Sequence, residues 1–194
     1  MSKLSQRELE SVLLKLRLVT LQQLRECQDQ SAFGSQGDLL SCLEQRHYLT
    51  SLQVQKLRKG ESDGLVLGDY KLLYRNASGS FARVYRGASL TDGRTVGVKV
   101  LRERWSNDRD SVALFHREGE TGMRLKHKNI VPIYECAQQG STHYIVMEFV
   151  EGGNLRDFIK IRGKLESLEA LRYGMQMAEA LAYANGLGIT HRDM

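Results

Sequence analysis

Four short stretches of this 194-residue sequence carry residue types that could act together on a phosphate group. They are a turn around Gly79, Lys99 at the end of a valine-rich run, Glu118 on the next helical run, and the tripeptide at 191–193 that ends in Asp193. A cation and exposed backbone N–H groups bind anions, and a carboxylate can accept a proton. Each stretch alone is common by chance, so the interpretation depends on their spacing and on the elements between them.

The first 60 residues predict four short amphipathic helices. Thr20 with Gln23 and Thr50 with Gln53 form capping boxes that open the second and fourth helices, and Asp38 is a suitable N-cap for the third. The apolar faces are Leu9, Val12, Leu13 and Leu16 in the first helix, Leu21 and Leu24 in the second, Leu39, Leu40 and Leu43 in the third, and Leu52, Val54 and Leu57 in the fourth. This spacing of three and four residues is typical of helices that pack on one another.

After a polar, glycine-bounded stretch at 61–64 the periodicity changes, which predicts a domain boundary. Strands are predicted at 70–74, 81–87, 95–101, 130–136 and 143–149, and helices at 108–126, 155–162 and 167–187. Asp92 and Gly93 predict a hairpin turn between the second and third strands. The last helix is apolar nearly all round, as in a core helix, so we expect it to expose an apolar surface in this chain.

The order of these stretches resembles the protein-kinase domain over residues 68–194. The resemblance rests on Val-Gly-Val-Lys at 96–99, on Leu-Lys-His-Lys-Asn-Ile-Val at 125–131, on the Met-Glu-Phe-Val stretch from 147, and on His-Arg-Asp at 191–193. The segment 125–131 is the most specific of these. Glu118 lies nine residues before His127, which is the family's spacing for the glutamate that pairs with the lysine, and Glu120 is the alternative.

The resemblance implies that the chain binds ATP and Mg²⁺ and acts on a protein substrate. Lys99, oriented by Glu118, would contact the α- and β-phosphates, and Asp193 would be the catalytic base. The residues implied to bind the nucleotide are Asn76, Ala77, Ser78, Gly79, Ser80, Phe81, Ala82, Val84, Gly97, Lys99, Met147, Glu148 and Val150. Among these, Met147 would lie behind the adenine, while the backbone of Glu148 and Val150 would hydrogen-bond its edge. No residue of the chain is implied as a metal ligand, because the family places those ligands after Asp193.

Several residues depart from the family pattern. Asn76 stands where an aliphatic residue is usual, Ala77 replaces a glycine and Gly97 replaces an alanine. The lost apolar contacts predict about 1 kcal/mol weaker nucleotide binding, or roughly fivefold. Because the family's Lys-x-x-Asn and Asp-Phe-Gly motifs do not follow Asp193, we predict that the 194 residues transfer no phosphate. Two glycines at 119 and 122 each disfavour a helix by about 0.8–1 kcal/mol, which predicts a marginal helix that pairs Glu118 with Lys99 only in an active state.

The predicted fold class is α+β. It comprises a kinase-like N-lobe with a five-stranded antiparallel sheet and one helix, a partial helical C-lobe, and a small all-α domain in front. The predicted boundaries are 1–60 for the helical module, 61–67 for a linker and 68–194 for an incomplete kinase domain, with N-lobe 68–146, hinge 147–153 and partial C-lobe 154–194. The predicted function is that of a serine/threonine protein kinase of the bacterial kind. The alternative is a pseudokinase or nucleotide-binding interaction module, and a lipid or small-molecule kinase is less favoured.

The two Thr-x-x-Gln boxes lie 30 residues apart and admit two interpretations. They are either two similarly capped helices, or part of a resemblance over residues 18–60 to a small helical module found in secretion and pilus-assembly ATPases and before some bacterial kinases. That resemblance implies docking on a protein partner. The net charge of +5 is spread along the chain, which argues against a nucleic-acid partner. With no signal peptide, no apolar run of membrane-spanning length and isolated cysteines, we expect a soluble, cytoplasmic chain.

Overall fold

The computed structural model describes the backbone of residues 5–32 and 38–191, with side chains described for 5–28 and 38–191. Within these residues, four helices come first: α1 (Gln6–Lys15), α2 (Leu21–Ala32), α3 (Leu39–Gln45) and α4 (Ser51–Arg58). The sheet and its helix follow as β1 (Val66–Leu67), β2 (Tyr70–Ser78), β3 (Ala82–Ser89), β4 (Thr95–Leu101), α5 (Arg109–Met123), β5 (Ile133–Gln139) and β6 (Thr142–Glu148). The chain then forms α6 (Leu155–Arg162) and α7 (Ser167–Gly186).

The front helices begin at the predicted capping residues. The backbone N–H of Thr20 donates to Gln23 Oε1 at 2.8 Å and that of Gln23 donates to Thr20 Oγ1 at 3.2 Å, and the box of Thr50 and Gln53 has the same two bonds. The apolar face predicted for α2 was wrong at one position. Leu21 is 50% exposed, because it lies in the first turn of α2 and points away from the core that Leu24 enters.

The four front helices form two successive pairs, and the turn within each pair has the same backbone feature. α1 turns into α2 through Arg17 at φ 53°, and α3 turns into α4 through His47 at φ 59°. Positive φ is uncommon in residues other than glycine, yet these two positions are 30 residues apart, as the two capping boxes are. The sequence echo therefore corresponds to a repeated backbone unit, while the resemblance to the ATPase module stays a prediction.

The helical module is fastened to the sheet. Its buried cluster, which includes Leu13, Leu43 and Leu57, also contains Leu65, so the predicted linker contributes to the module core. Gln53, only 2% exposed, donates from Nε2 to the carbonyl oxygen of Leu72 at 2.9 Å. These contacts show that α4 packs directly on β2.

The sheet of the described chain has six antiparallel strands in the order β1-β2-β3-β4-β6-β5, where five were predicted. The additional strand β1 pairs two residues with Lys71 and Tyr70, and so short a strand has no alternation that a sequence pattern could show. One face of the sheet buries Val96, Val98 and Tyr85. We call the opposite face, against which α5 packs, the cleft face.

The two glycines of α5 have a packing role. A Cβ atom at Gly119 would lie 2.8 Å from the Cβ of Cys136 on β5, and one at Gly122 would overlap the side chain of Ile133. Their cost in helix propensity therefore accompanies a close approach of α5 to the sheet. Because this packing explains the two glycines, they are not by themselves a sign of a marginal helix. Movement of α5 between two states stays a prediction.

The long helix α7 is more exposed than a core helix. Among its described residues only Ala184 is buried, whereas Leu168, Leu171 and Met175 are exposed, so the prediction of an exposed apolar surface is confirmed. The loop before β5 holds it: the His127 ring stacks on Tyr183 with centroids 5.1 Å apart. In the ranges that the structure describes, no helix has the length and hydropathy that a membrane span requires.

Candidate functional site

Four of the predicted nucleotide-binding residues lie side by side on the cleft face. In the strand register Val84 faces Lys99, and Gly97 faces Met147. Alternate residues of a strand point to the same face, so Gly97 and Lys99 share this surface on β4. The strands β3, β4 and β6 therefore build one surface from these positions.

The ion pair predicted from the spacing is present. Lys99 Nζ lies 2.5 Å from Glu118 Oε1, and the contact is made by Glu118 rather than by the alternative, Glu120. The ammonium group also lies 6.0 Å from the centre of the ring of Phe115, which is fully buried. The side chains of Lys99 and Glu118 are 22% and 49% exposed, so the pair contributes little to stability and its main effect is to orient the lysine.

The turn that contains the single glycine connects β2 to β3. Asn76, Ala77 and Ser78 are exposed at the end of β2, and the backbone N–H of Gly79 donates to the carbonyl oxygen of Ala82 at 3.0 Å to close the turn. The N–H group of Gly79 is thus used within the turn itself. The phosphate-binding role of this turn stays a prediction.

This turn is held by side chains that follow β4, which sequence reasoning missed. The Arg104 guanidinium and, at 3.2 Å, the Trp105 indole N–H both donate to the carbonyl oxygen of Ser80. Arg102 donates from Nη2 to Ser78 Oγ at 2.9 Å. The sequence gives no signal for the contacts with Ser80, because the acceptor is a backbone carbonyl group and every residue has one.

Two of the predicted nucleotide residues also have structural roles. The ring of Phe81 lies 6.3 Å from those of both Trp105 and Phe115, measured between centroids, and Ala82 is buried in the same cluster. Phe81 therefore packs between the turn and α5. Phe81 and Ala82 thus help to fix the position of the turn.

The predicted hinge begins at the last two residues of β6, after which the chain leaves the sheet. A Cβ atom at Gly97 would lie 3.0 Å from Met147 Cγ and 3.4 Å from the Glu148 carbonyl oxygen, so the glycine leaves room for the methionine. Val150 is 61% exposed. Arg86 on β3 forms a 2.9 Å ion pair with Glu151, which connects the predicted hinge to the sheet. The sequence did not reveal this contact.

The remaining predicted catalytic residue, Asp193, lies outside the described residues, as does Arg192. The described residues therefore bring together Lys99, Glu118, the turn and the predicted hinge. The predicted catalytic base, Asp193, is not among them. His191, which precedes them, is exposed.

A second polar cluster lies between α5 and the sheet. His116 Nε2 lies 2.9 Å from His143 Nδ1, and His116 Nδ1 lies 3.3 Å from Cys136 Sγ. Burial lowers the pKa of His143, with a smaller contribution from His116, and burial raises the pKa of the Cys136 thiol. The cluster is a packed hydrogen-bonded chain in which His143 is expected to stay neutral at pH 7.

A curled antiparallel sheet, one helix packed on its cleft face and a lysine–glutamate pair between them are the features of a protein-kinase N-lobe. The chain belongs to the protein kinase family: the family described as protein kinase domain matches residues 75–194. This match confirms the resemblance seen in the sequence.

Serine/threonine kinases are among the similar proteins. The serine/threonine-protein kinase PrkC of Bacillus subtilis is 36% identical over 129 residues, which cover 66% of this chain and 20% of PrkC. A probable serine/threonine-protein kinase of Clostridium acetobutylicum is 39% identical over 132 residues, covering 68% and 20%. A CBL-interacting serine/threonine-protein kinase of Arabidopsis thaliana is 35% identical over 131 residues, covering 67% and 30%. The chain thus spans about a fifth of the length of the bacterial relatives.

Proposed function

We propose that this chain contributes the nucleotide-binding part of a serine/threonine protein kinase, which transfers the γ-phosphoryl group of ATP to a protein hydroxyl. The observation that carries the proposal is the 2.5 Å contact of Lys99 with Glu118 on the cleft face. The two residues lie on separate elements, and the pair holds a cation where a phosphate could be bound. The printed names of the relatives support serine or threonine as the acceptor.

The residues present fit ATP. In this proposal Lys99 binds the α- and β-phosphates, and the N–H groups of the turn around Gly79 cover them. The backbone of Glu148 and Val150 binds the adenine edge, with Met147 behind it. Bound ATP supplies the phosphoryl group and Mg²⁺ neutralises its charge, while Asp193 accepts the proton of the substrate hydroxyl.

For the 194-residue chain itself we infer nucleotide binding without phosphoryl transfer. The metal ligands that the family places after Asp193 are not among these residues. Binding is expected to be weakened by Asn76 and Ala77. Gly97 has less effect than the sequence suggested, because Met147 occupies the space that an alanine would take.

Calorimetric titration with MgATP tests the proposal. The wild-type chain should bind one nucleotide, and Lys99→Met should weaken binding by at least about tenfold, since it removes a charge-assisted contact. Lys128→Met is the matched control, because it also removes one lysine and one ion pair, the 3.0 Å contact with Glu179, but on an exposed loop. Equal binding by wild type and Lys99→Met, with both folded by circular dichroism, would contradict the proposal.

The second candidate is a pseudokinase that binds nucleotide as part of an interaction module. The observation that favours it is the turn with one glycine, held by Arg104 and Trp105 through Ser80. In a longer form of the protein, Lys-x-x-Asn and Asp-Phe-Gly after Asp193 would favour the enzyme. Their replacement would favour the second candidate.

A further inference from the structure

A cavity of about 320 Å³ lies between the helical module and the sheet, on the face opposite the cleft. Lys56 enters it from α4, Arg83 from β3, and Arg102 from the segment after β4. Arg83 pairs with Val100 in the strand register, one residue away from the pair of Val84 with Lys99. Because strand residues alternate, this cavity and the candidate ATP site lie on opposite faces of the sheet.

The three cations of this cavity have carboxylates nearby but form no close ion pair with them among the described residues. Asp63 and Glu103 also line it, but no ion pair of the described chain joins a carboxylate to Lys56, Arg83 or Arg102 within 4.0 Å. The ammonium group of Lys56 donates to the backbone carbonyl of Asp63 at 3.3 Å. Arg102 Nε is buried without a hydrogen-bond partner among the described residues.

Burial makes this arrangement costly. It is the largest influence on Lys56 and lowers the pKa of this group. The charge of Arg83 acts in the same direction, whereas the carboxylates of Glu61 and Asp63 act against it. A partly desolvated cation is stabilised by a bound anion, because the field of the anion replaces the lost hydration. The guanidinium groups of Arg83 and Arg102 offer further N–H donors for an oxyanion.

We propose that this cavity binds a small phosphorylated compound, whose phosphate is held by Lys56, Arg83 and Arg102. The volume is at the lower end of the range for ligand pockets, which suits a compact ligand. Hydroxyl groups of Ser106, Ser141 and Thr142 also line the cavity and can bind polar groups of that ligand.

The ligand would connect the two parts of the chain. Lys56 belongs to the helical module, Arg83 belongs to the sheet and Arg102 directly follows β4, so a bound phosphate adds contacts between the module and the sheet. Arg102 also donates to Ser78 Oγ and its backbone N–H donates to the Phe81 carbonyl oxygen at 3.1 Å, which links the cavity to the turn of the cleft. Binding should therefore raise the unfolding temperature of the folded chain.

The test uses inorganic pyrophosphate without Mg²⁺, at constant ionic strength, with calorimetry and thermal unfolding of the 194-residue chain. We expect one binding site and a higher unfolding temperature. Lys56→Met and Arg83→Met should each weaken binding by about tenfold or more. Lys59→Met is the matched control, because it removes an equal charge from an exposed position at the end of the same helix, and it should bind as the wild type does.

Three results would overturn the proposal. A folded wild-type chain that does not bind pyrophosphate excludes the site. Equal weakening in Lys59→Met and Lys56→Met would show unspecific attraction to a basic surface. Loss of binding in Lys99→Met together with retention in Lys56→Met would place pyrophosphate in the cleft. The outcome is independent of the MgATP titration, because Lys99 and Lys56 lie on opposite sides of the sheet.

Discussion

The close approach of α5 to β5 predicts opposite effects for the same substitution at two helical glycines. Gly119→Ala places a Cβ atom 2.6 Å from Cys136 Sγ and 2.8 Å from its Cβ, and the latter cannot move without the strand. Overpacking of this kind costs about 1–3 kcal/mol, and the better helix propensity of alanine returns about 0.8–1 kcal/mol. We expect a net loss of up to about 2 kcal/mol in the free energy of unfolding.

Gly174→Ala in α7 is the matched control. A Cβ atom there meets nothing within 4 Å, so only the propensity term remains and α7 should gain about 0.8–1 kcal/mol. Urea unfolding followed by circular dichroism reports both helices, and fluorescence of Trp105, the single tryptophan, reports the region beside α5. Gly119→Ala should also weaken MgATP binding, since it displaces the neighbouring Glu118. A stability gain from Gly119→Ala equal to that from Gly174→Ala would refute the packing argument.

Two other substitutions test contacts away from the cleft. Gln53→Ala should destabilise the chain by about 1–3 kcal/mol more than Gln23→Ala in urea unfolding. Both substitutions remove a capping box, but only Gln53→Ala also removes the hydrogen bond to the buried carbonyl oxygen of Leu72. Equal losses in the two variants would contradict this. His143 has a pKa below its usual 6.5 when folded, so the unfolded state binds the proton more readily and stability should fall as the pH drops below about 6.5. His143→Gln should flatten this dependence in urea titrations between pH 7 and 5, and an unchanged slope would assign it to other groups.

Elements with local signals were predictable from the sequence. The helix predicted at 155–162 has those bounds in the structure, because Asn154 accepts from the N–H of Asp157 at 2.8 Å and Gly163 ends it at φ 83°. The strand at 95–101 likewise has the predicted bounds. The strand predicted to begin at 130 begins instead at Ile133, since the preceding residues turn back through the N–H of Ile130 to the His127 carbonyl.

In the candidate site, the ion pair of Lys99 with Glu118 was predictable because it follows from a spacing along the sequence. Lys99 was paired with Glu118 because Glu118 lies nine residues before His127, which is the spacing at which the protein-kinase family places this glutamate. The roles of Arg102, Arg104 and Gly119 were not predictable. They depend on which carbonyl or strand lies opposite in space, and no pattern along the chain encodes that distance.

The attachment of α4 to β2 has a consequence for association between molecules. β1 pairs with β2 through residues 70 and 71, and beyond them Gln53 and Thr50 bind the carbonyl oxygens of Leu72 and Leu73. A strand with unpaired carbonyls at a sheet border is a template for a strand of another molecule. The helical module therefore occupies this border of the sheet and prevents a further strand from pairing there. A kinase lobe prepared without residues 1–60 would present it to its neighbours and should aggregate more readily than the intact chain.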